Sequence, residues 1–227
     1  MKLSSIVPWG RSFAEYTDIF SLNDEDLGKR ILGCGDGPAS FNAEFSAMGG
    51  NVVSIDPVYQ FTAEEIRSRI SEVYPQVIAE VTQNKDDFVW HNIPDIETLG
   101  TNRMDAMNKF LTDYETAKGS GRYVHASLPT LPFEDAEFEL ALCSHYLFLY
   151  SEHVNQEQHI LSMKELCRVA SEVRVYPLLS INNNAESPHL KPVIAALENC
   201  GINVSLSNVA YEFQKGATKM LVAKNKK

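Results

Sequence analysis

Short apolar runs alternate with helical patterns along most of this chain, and this alternation constrains its fold more than any other feature of the sequence. Runs rich in β-branched residues predict strands at residues 30–32, 52–55, 123–125, 139–143, 172–176, 203–206 and 220–223. Helical patterns lie between most of these runs, including residues 39–48, 156–169 and 190–199. Several strands are apolar on both faces, as in a parallel sheet that helices cover on each side. The pattern predicts a doubly wound α/β fold with a mostly parallel, seven-stranded sheet.

The last two strand-like runs lie too close together for a helix to connect them. In the segment "INVSLSNVAYEFQKGATKMLVAK", Lys215 and Gly216 form a turn pair between the two runs. A connection of this kind joins antiparallel strands, so we expect the sheet to end in a C-terminal antiparallel hairpin. A chain of 227 residues, 44% of them apolar, can form this core as one domain, residues 1–227.

The connection between the second and third strands is unusually long. A helical face begins near Thr62 and continues past Pro75, where we expect a kink or a break. A second helical stripe contains Met104, Met107 and Phe110, with Asn102 as the expected N-cap. We therefore expect an inserted helical region at about residues 76–121. Its stripe either lines a cavity or packs onto the sheet.

Three alternating glycines follow the first strand in the stretch "RILGCGDGPAS". Gly33, Gly35 and Gly37 permit positive φ angles and let a ligand approach the backbone without a Cβ atom in the way. The helix that follows directs free N–H groups towards this turn. The turn is therefore either a ligand-binding turn or a tight strand-to-helix connection without a ligand.

A single acid, Asp56, follows the second strand. A carboxylate in this position can accept both hydroxyl protons of a ribose, so the turn and the acid together predict a cofactor that contains adenosine. A dinucleotide turn needs G-x-G-x-x-G, and neither register supplies it, because Pro38 and Ser40 stand where the third glycine would be.

The charge of Asp36 favours one class of adenosine cofactor. A pyrophosphate would lie beside this acid, and like charges about 4 Å apart cost on the order of 1–4 kcal/mol. S-adenosylmethionine carries a sulfonium and an ammonium group instead of phosphates. The turn favours S-adenosylmethionine over NAD without excluding NAD, since the Asp36 side chain can also point away.

The motifs resemble those of the class I S-adenosylmethionine-dependent methyltransferases over most of the chain. "GCGDGPA" resembles the first motif, acid-x-G-x-G-x-G, with Gly35 and Gly37 as its first two glycines and Gly33 in place of its acid. An alternative register uses all three glycines and puts Ile31 at the acid position. Asp56 matches the ribose-binding acid, and "LPFEDAEF" resembles the segment before and into the fourth strand. The terminal hairpin agrees with the reversed seventh strand of this Rossmann-like fold.

The resemblance implies roles for particular residues. It implies a catalytic role for His145 as a base or acceptor-orienting group. Trp9 is a further candidate for a lid contact, Tyr59 either lies along the adenine or packs in the core, and His91 could reach the acceptor. The inserted region would hold the acceptor pocket. The residues implied to bind S-adenosylmethionine are Gly33, Cys34, Gly35, Asp36, Gly37, Asp56, Pro57, Ser127, Leu128, Ser144, Tyr16 and Arg11.

Composition limits the partners of the chain. A net charge of −10 repels phosphate backbones, so we expect no nucleic-acid partner. The most apolar window, "LALCSHYLFLY", is too short and too polar to span a bilayer. Four widely spaced cysteines indicate reduced thiols in the cytoplasm, and the histidines show no metal-ligand spacing.

These observations predict a cytoplasmic methyltransferase that uses S-adenosylmethionine and acts on a small-molecule acceptor, without a metal and without a membrane partner. The sequence identifies neither the acceptor nor the oligomeric state. Two alternatives stay open: an NAD-dependent or nucleotide-sugar enzyme on a related fold, and a module that binds S-adenosylmethionine without catalysis.

Overall fold

All seven expected strands are present in a computed structural model that describes residues 7–225. They form one sheet in the order β3-β2-β1-β4-β5-β7-β6. The predicted positions are confirmed, and most strands extend by one or two residues beyond the predicted ends. The strands are β1 Arg30–Cys34, β2 Asn51–Ile55, β3 Tyr123–Val124, β4 Phe138–Ser144, β5 Ala170–Tyr176, β6 Asn203–Asn208 and β7 Lys219–Lys224.

Strand direction matches the predicted fold class. β1 to β5 pair in parallel, whereas β7 runs antiparallel to both β5 and β6. The C-terminal hairpin is therefore confirmed. Cys34 at the end of β1 lies opposite Ile55 of β2 and Cys143 of β4. Because these strand ends share one edge of the sheet, the residues that follow them come together.

Helices cover both faces of the sheet, as the alternating pattern predicts. Ile31 and Leu32 of β1 enter opposite core clusters, one packed with α1 and α3 and the other with α6 and α7. Among the described residues, no helix has the length and apolar character needed to cross a bilayer. The α-helices are α1 Phe13–Phe20, α2 Asp24–Leu27, α3 Phe41–Ala47, α4 Ala63–Gln83, α5 Ile96–Ala117, α6 Gln156–Val169 and α7 Leu190–Asn199.

The long connection between β2 and β3 differs in detail from its prediction. α4 continues through Pro75 without a break, because its apolar face, from Ile66 to Val81, is buried along the whole helix. The expected boundary at residue 76 therefore falls inside a helix, and the helical region consists of α4 and α5. The prediction that Asn102 is the N-cap was wrong. α5 begins at Ile96, and its N-cap is Asp95, whose side chain accepts a hydrogen bond from the Thr98 backbone N–H at 2.7 Å.

The methionine and phenylalanine stripe of α5 packs into the core. Met107 and Phe110 are buried with Tyr59 and Tyr123 in one cluster beside the edge strand β3. Of the two interpretations of this stripe, the structure shows packing onto the sheet.

Candidate functional site

A cleft of about 440 Å³ opens at the edge of the sheet where β1, β2 and β4 end. Of the residues predicted to bind a cofactor, all but Gly33 line it. The cleft brings together Arg11, Tyr16, Cys34, Gly35, Asp36, Gly37, Asp56, Pro57, Ser127, Leu128 and Ser144, together with His145. We call residues 34–37, 56–57, 127–128 and 144–145 the strand-end wall.

The turn after β1 has the backbone geometry that only glycine adopts readily. Gly35 and Gly37 have φ angles of 68° and 53°. A Cβ atom at Gly35 would lie 3.1 Å from the Cβ of Tyr146, which is too close for an ordinary contact. The Tyr59 hydroxyl donates a hydrogen bond to the Gly37 carbonyl at 2.8 Å, so Tyr59 packs in the core and supports the turn from behind.

Gly33 lies one residue before the turn and does not line the cleft. Its position inside β1 explains this correction, since it is paired with Ser54 on one side and Leu142 on the other. A Cβ atom at Gly33 would overlap the Asp36 carboxylate. The space that a side chain at position 33 would enter is thus filled by the carboxylate of Asp36.

The Asp36 carboxylate is buried and hydrogen-bonded, although it carries no cationic partner in the described structure. Tyr16 donates to Oδ1 at 2.7 Å, and Ser54 donates to Oδ2 at 2.5 Å. Burial and, to a smaller extent, the nearby Asp56 raise the pKa of Asp36 to about 7, against the effect of these two hydrogen bonds. Asp36 is therefore poised between its neutral and ionised forms near neutral pH.

Asp56 joins the glycine turn to the segment after β2. Its Oδ2 accepts from the Gly37 N–H at 2.9 Å, and its Oδ1 caps the short 3₁₀ turn by accepting from the Val58 N–H at 2.8 Å. Each oxygen keeps a further lone pair for a ligand hydroxyl. Burial raises the pKa of Asp56 to about 6, despite these hydrogen bonds.

A positively charged cluster contributes Arg11 to the same cleft. Arg103 of α5 is fully buried, and its Nη1 donates to Oε2 of Glu15 at 2.6 Å. Arg11 makes one long hydrogen bond, from Nη1 to the Trp9 carbonyl at 3.3 Å, and its buried Nε has no partner among the described residues. Two arginines and one carboxylate leave an excess positive charge, and Arg11 presents it to the cleft.

The pKa values of this cluster follow from its charges. Burial raises the pKa of Glu15, but Arg103 and then Arg11 outweigh it and hold that pKa at about 2. Burial and the Arg103 charge lower the pKa of Arg11. An anion beside Arg11 would relieve this repulsion.

Sequence reasoning missed Arg103. The available signal was its spacing four residues after Leu99 and four before Met107, on the buried face of α5. A charged residue on such a face needs an internal partner. Nothing in the sequence indicated that the partner is Glu15 of α1.

His145 follows β4 at the same edge. The backbone N–H of His145 donates to the Tyr176 carbonyl at 2.7 Å, and the φ angle of 53° at His145 is unusual for a residue other than glycine. Its Nδ1 lies 2.9 Å from Oγ of Ser144, and its Nε2 has no hydrogen bond in the part of the chain that the structure describes. Burial lowers the pKa of His145 well below its ordinary value, and Arg11 and Arg103 act in the same direction. The imidazole is therefore neutral at pH 7.

Two remaining candidates lie in different surroundings. Trp9 lines the cleft beside the N-terminal segment, where its ring packs against Tyr74 with centroids 5.7 Å apart. His91 is exposed and does not line the cleft. Within residues 7–225, no group of three or more His, Cys, Asp or Glu side chains is placed to hold a metal ion.

The far side of the cleft is built from two segments distant in sequence. Residues 87–89 pair with residues 213–215: the Val89 N–H donates to the Phe213 carbonyl at 2.7 Å, and the Lys215 N–H donates to the Asp87 carbonyl at 2.9 Å. We call these two segments the loop wall. The Phe88 and Phe213 rings stack with centroids 4.9 Å apart and line the cleft. The loop wall thus presents two stacked aromatic rings to the cleft, flanked by Asp87 and Gln214.

The strand order and the reversed seventh strand are those of the Rossmann-like methyltransferase fold, and the fold predicted from the class I motifs is confirmed. The crystal structure of the PH0226 protein from Pyrococcus horikoshii OT3 superposes with a TM-score of 0.50 at 11% identity, covering 93% of this chain and 89% of that chain. Magnesium protoporphyrin IX methyltransferase from Synechocystis PCC 6803, solved with bound SAM, gives a TM-score of 0.49 at 10% identity, covering 94% and 77%.

A full-length relative exists at the sequence level. The chain is 29% identical over 223 residues to the uncharacterized protein MJ0045 of Methanocaldococcus jannaschii, covering 98% of this chain and 97% of that protein. No model of a known protein family matches the chain.

Proposed function

We propose that this protein is an S-adenosylmethionine-dependent methyltransferase acting on a small-molecule acceptor, with residues 1–227 as one methyltransferase-like domain. The observation that carries the proposal is the pair of carboxylates at the carboxyl edge of the sheet: Asp36 lies in the glycine turn, and Asp56, after β2, accepts a hydrogen bond from that turn. S-adenosylmethionine, an amino acid joined to a nucleoside through a sulfonium, matches these two carboxylates. Its positive charges suit Asp36, and its ribose hydroxyls can donate hydrogen bonds to Asp56.

The residues fit the nucleoside half of this molecule. Asp56 accepts hydrogen bonds from the two ribose hydroxyls, through lone pairs that its backbone contacts leave free. Pro57, Ser127 and Leu128 line the cleft near Asp56 and hold the adenine. The solved relative with bound SAM supports the choice of cofactor by analogy of fold.

The residues also fit the amino-acid half. Asp36 occupies the space that a side chain at position 33 would take, so it replaces the acid that the class I motif places there. It pairs with the ammonium group. Arg11, which lines the cleft, pairs with the carboxylate group.

The raised pKa values distinguish this cofactor from NAD. The buried Asp36 and the half-buried Asp56 form no salt bridge with Arg or Lys among the described residues, so they favour a positively charged ligand and oppose a pyrophosphate. Binding of the cation lowers the pKa of Asp36, so the carboxylate becomes ionised as the site fills.

The chain contributes positioning and proton removal to the reaction. When bound, S-adenosylmethionine supplies an activated methyl group, whose bond to sulfur breaks with its electron pair left on sulfur as the acceptor atom forms the new bond. The walls of the cleft hold the acceptor in line and exclude water. For an acceptor that must lose a proton, the neutral His145 takes it at Nε2, while Ser144 holds Nδ1.

Ligand-dependent thermal unfolding tests the proposal. The wild-type protein is heated with S-adenosylmethionine, S-adenosylhomocysteine, NAD or a nucleotide sugar, each at the same concentration. We expect the first two to raise Tm by several degrees, since a ligand stabilises the state that it binds. Stabilisation by NAD or the nucleotide sugar alone would refute the proposal. Tight S-adenosylmethionine binding, with no S-adenosylhomocysteine formed from a broad acceptor panel, would favour the binding module without catalysis.

A further inference from the structure

Four polar side chains from different elements form a hydrogen-bonded chain between the glycine turn and His145. The Tyr16 hydroxyl donates to Oδ1 of Asp36 at 2.7 Å. Burial and Asp36 raise the pKa of Tyr16, whereas a side-chain hydrogen bond with Ser144 lowers it, as expected when Ser144 is the donor. Oγ of Ser144 lies 2.9 Å from Nδ1 of His145. The chain therefore runs from the buried Asp36 carboxylate to an imidazole that lines the cleft.

Each hydroxyl in this chain has one proton to donate, and this sets the direction of every hydrogen bond. An ionised Asp36 can only accept, so Tyr16 uses its proton on Asp36. The Tyr16 oxygen then accepts the proton of Ser144, and the Ser144 oxygen is left as the acceptor for His145. A neutral His145 must therefore carry its proton on Nδ1, which leaves the lone pair of the ring on Nε2.

Nε2 of His145 is the accessible nitrogen of the ring. It has no hydrogen-bond partner among the described residues, yet it keeps accessible surface, unlike the enclosed Nε2 of His159. His145 itself is half-buried and lines the cleft. The nitrogen that the chain leaves without a proton is thus the one that a molecule in the cleft can reach.

We propose that Asp36, Tyr16 and Ser144 are positioning residues that hold His145 in its Nδ1–H form, so that Nε2 is the base for an acceptor that reacts through an O–H or N–H group. The inference rests on the proposed function in calling His145 a base, whereas the position of the proton on the ring does not depend on it. The acceptor proton moves to Nε2 as the acceptor atom bonds to the methyl carbon, and the imidazolium releases that proton to solvent after the product leaves. An acceptor atom that already has a free lone pair and no proton to lose would make no use of this arrangement.

Nitrogen NMR of the imidazole rings tests the inference without a substrate. The protein is labelled with ¹⁵N at its six histidines, and the His145 signals are assigned by their loss in His145→Gln. The spectra are recorded at pH 8, where Asp36, with its pKa at about 7, is mostly ionised. We expect the wild-type ring of His145 to be protonated at Nδ1 and unprotonated at Nε2. A His145 ring protonated at Nε2 in the folded wild type would overturn the inference.

Tyr16→Phe tests the length of the chain, because it leaves the Ser144 and His145 side chains intact. Without the Tyr16 oxygen, the Ser144 proton is free to turn towards Nδ1, so the tautomer ratio should shift about tenfold towards Nε2–H, the equivalent of one hydrogen bond. Ser144→Ala should shift the ratio in the same direction. Tyr211→Phe is the matched control: it removes a buried hydroxyl outside the chain, which donates to Oε1 of Glu15 at 3.1 Å, and should keep the wild-type ratio.

Affinity for S-adenosylmethionine is measured by calorimetry on the wild type and on each variant that shows a folded circular dichroism spectrum. An unchanged tautomer ratio in folded Tyr16→Phe would overturn the roles of Tyr16 and Asp36 and leave the proposed function standing. If Tyr16→Phe does not fold, an unchanged ratio in Ser144→Ala overturns the inference. The expected tautomer shifts in a protein whose wild type binds no S-adenosylmethionine would refute the proposed function and leave the chain standing.

Discussion

The strand-end wall and the loop wall face one cleft but are built by different means. The strand-end wall comes from short segments that each follow a strand, so a few residues in sequence fix its geometry. The loop wall comes from residues 87–89 and 213–215, which are more than a hundred positions apart in the chain. The first wall is polar and carries two acids, whereas the second presents the stacked rings of Phe88 and Phe213.

This difference separates two tasks. A site for a charged cofactor needs fixed carboxylates and open backbone, which strand ends and glycine turns provide. A site that selects an acceptor needs shape and a few polar contacts, which packed loops provide. Changes to the strand-end wall should therefore alter cofactor binding or catalysis, and changes to the loop wall should alter acceptor binding alone.

The largest expected effect is on catalysis. His145→Gln removes the base from the strand-end wall, and turnover of an acceptor that must lose a proton should fall by about 10²–10⁴-fold. S-adenosylmethionine affinity should stay nearly unchanged in calorimetry. Weakened cofactor binding with full turnover would instead make His145 a packing residue.

The next effect is on cofactor affinity and its pH dependence. Asp36→Asn removes the charge that pairs with the ammonium group, so affinity should fall by roughly 10- to 150-fold, the equivalent of about 1.5–3 kcal/mol. In the wild type, affinity should fall about tenfold between pH 8 and pH 6, because protonation of Asp36, with its pKa at about 7, removes the same charge. The variant should lack that part of the pH dependence. An identical pH profile in both proteins would contradict the role of Asp36.

The same substitution should stabilise the protein without its cofactor. The pKa of Asp36 is higher in the folded chain than in the unfolded chain, so this group favours folding below about pH 4 and loses that contribution as pH rises towards about 7. At pH 8 the ligand-free Asp36→Asn protein should therefore unfold at a higher temperature than the wild type. A lower Tm would show that the lost hydrogen bonds to Tyr16 and Ser54 outweigh the burial of charge.

The smallest of these effects belongs to the loop wall. Phe213→Ala removes the ring that stacks on Phe88, so acceptor KM should rise by about tenfold, the equivalent of about 1.4 kcal/mol. S-adenosylmethionine affinity should stay within about twofold of wild type. A cofactor affinity that falls as much as acceptor affinity would show that the two walls do not act separately.

The sequence predicted the strand-end wall well because its signals are local. The alternating runs located every strand, and the glycines and Asp56 stand directly after strands whose ends must meet. Asp36 was recognised as an acid in the turn, but its contact with Ser54 could not be read, since that depends on how two strands pair. A serine inside the apolar run "NVVSI" was the only signal.

The loop wall and the buried arginine were not predictable in the same way. Gln214 lies in a connection that sequence reasoning treated only as a hairpin turn, and its partners come from residues 180 and 184. Arg103 pairs with a glutamate 88 positions earlier. Contacts of this range are set by packing of the whole chain and leave no local pattern.

The central claim is that the strand-end wall binds S-adenosylmethionine through Asp56. Calorimetric titration of S-adenosylmethionine into wild-type protein and into Asp56→Ala tests it directly, with Asp105→Ala on the exposed face of α5 as the matched control. The account predicts that Asp56→Ala loses about 1.5–3 kcal/mol of binding free energy, as for a hydrogen bond to a charged group, while the control loses none. Equal affinity of the wild type and Asp56→Ala would contradict it.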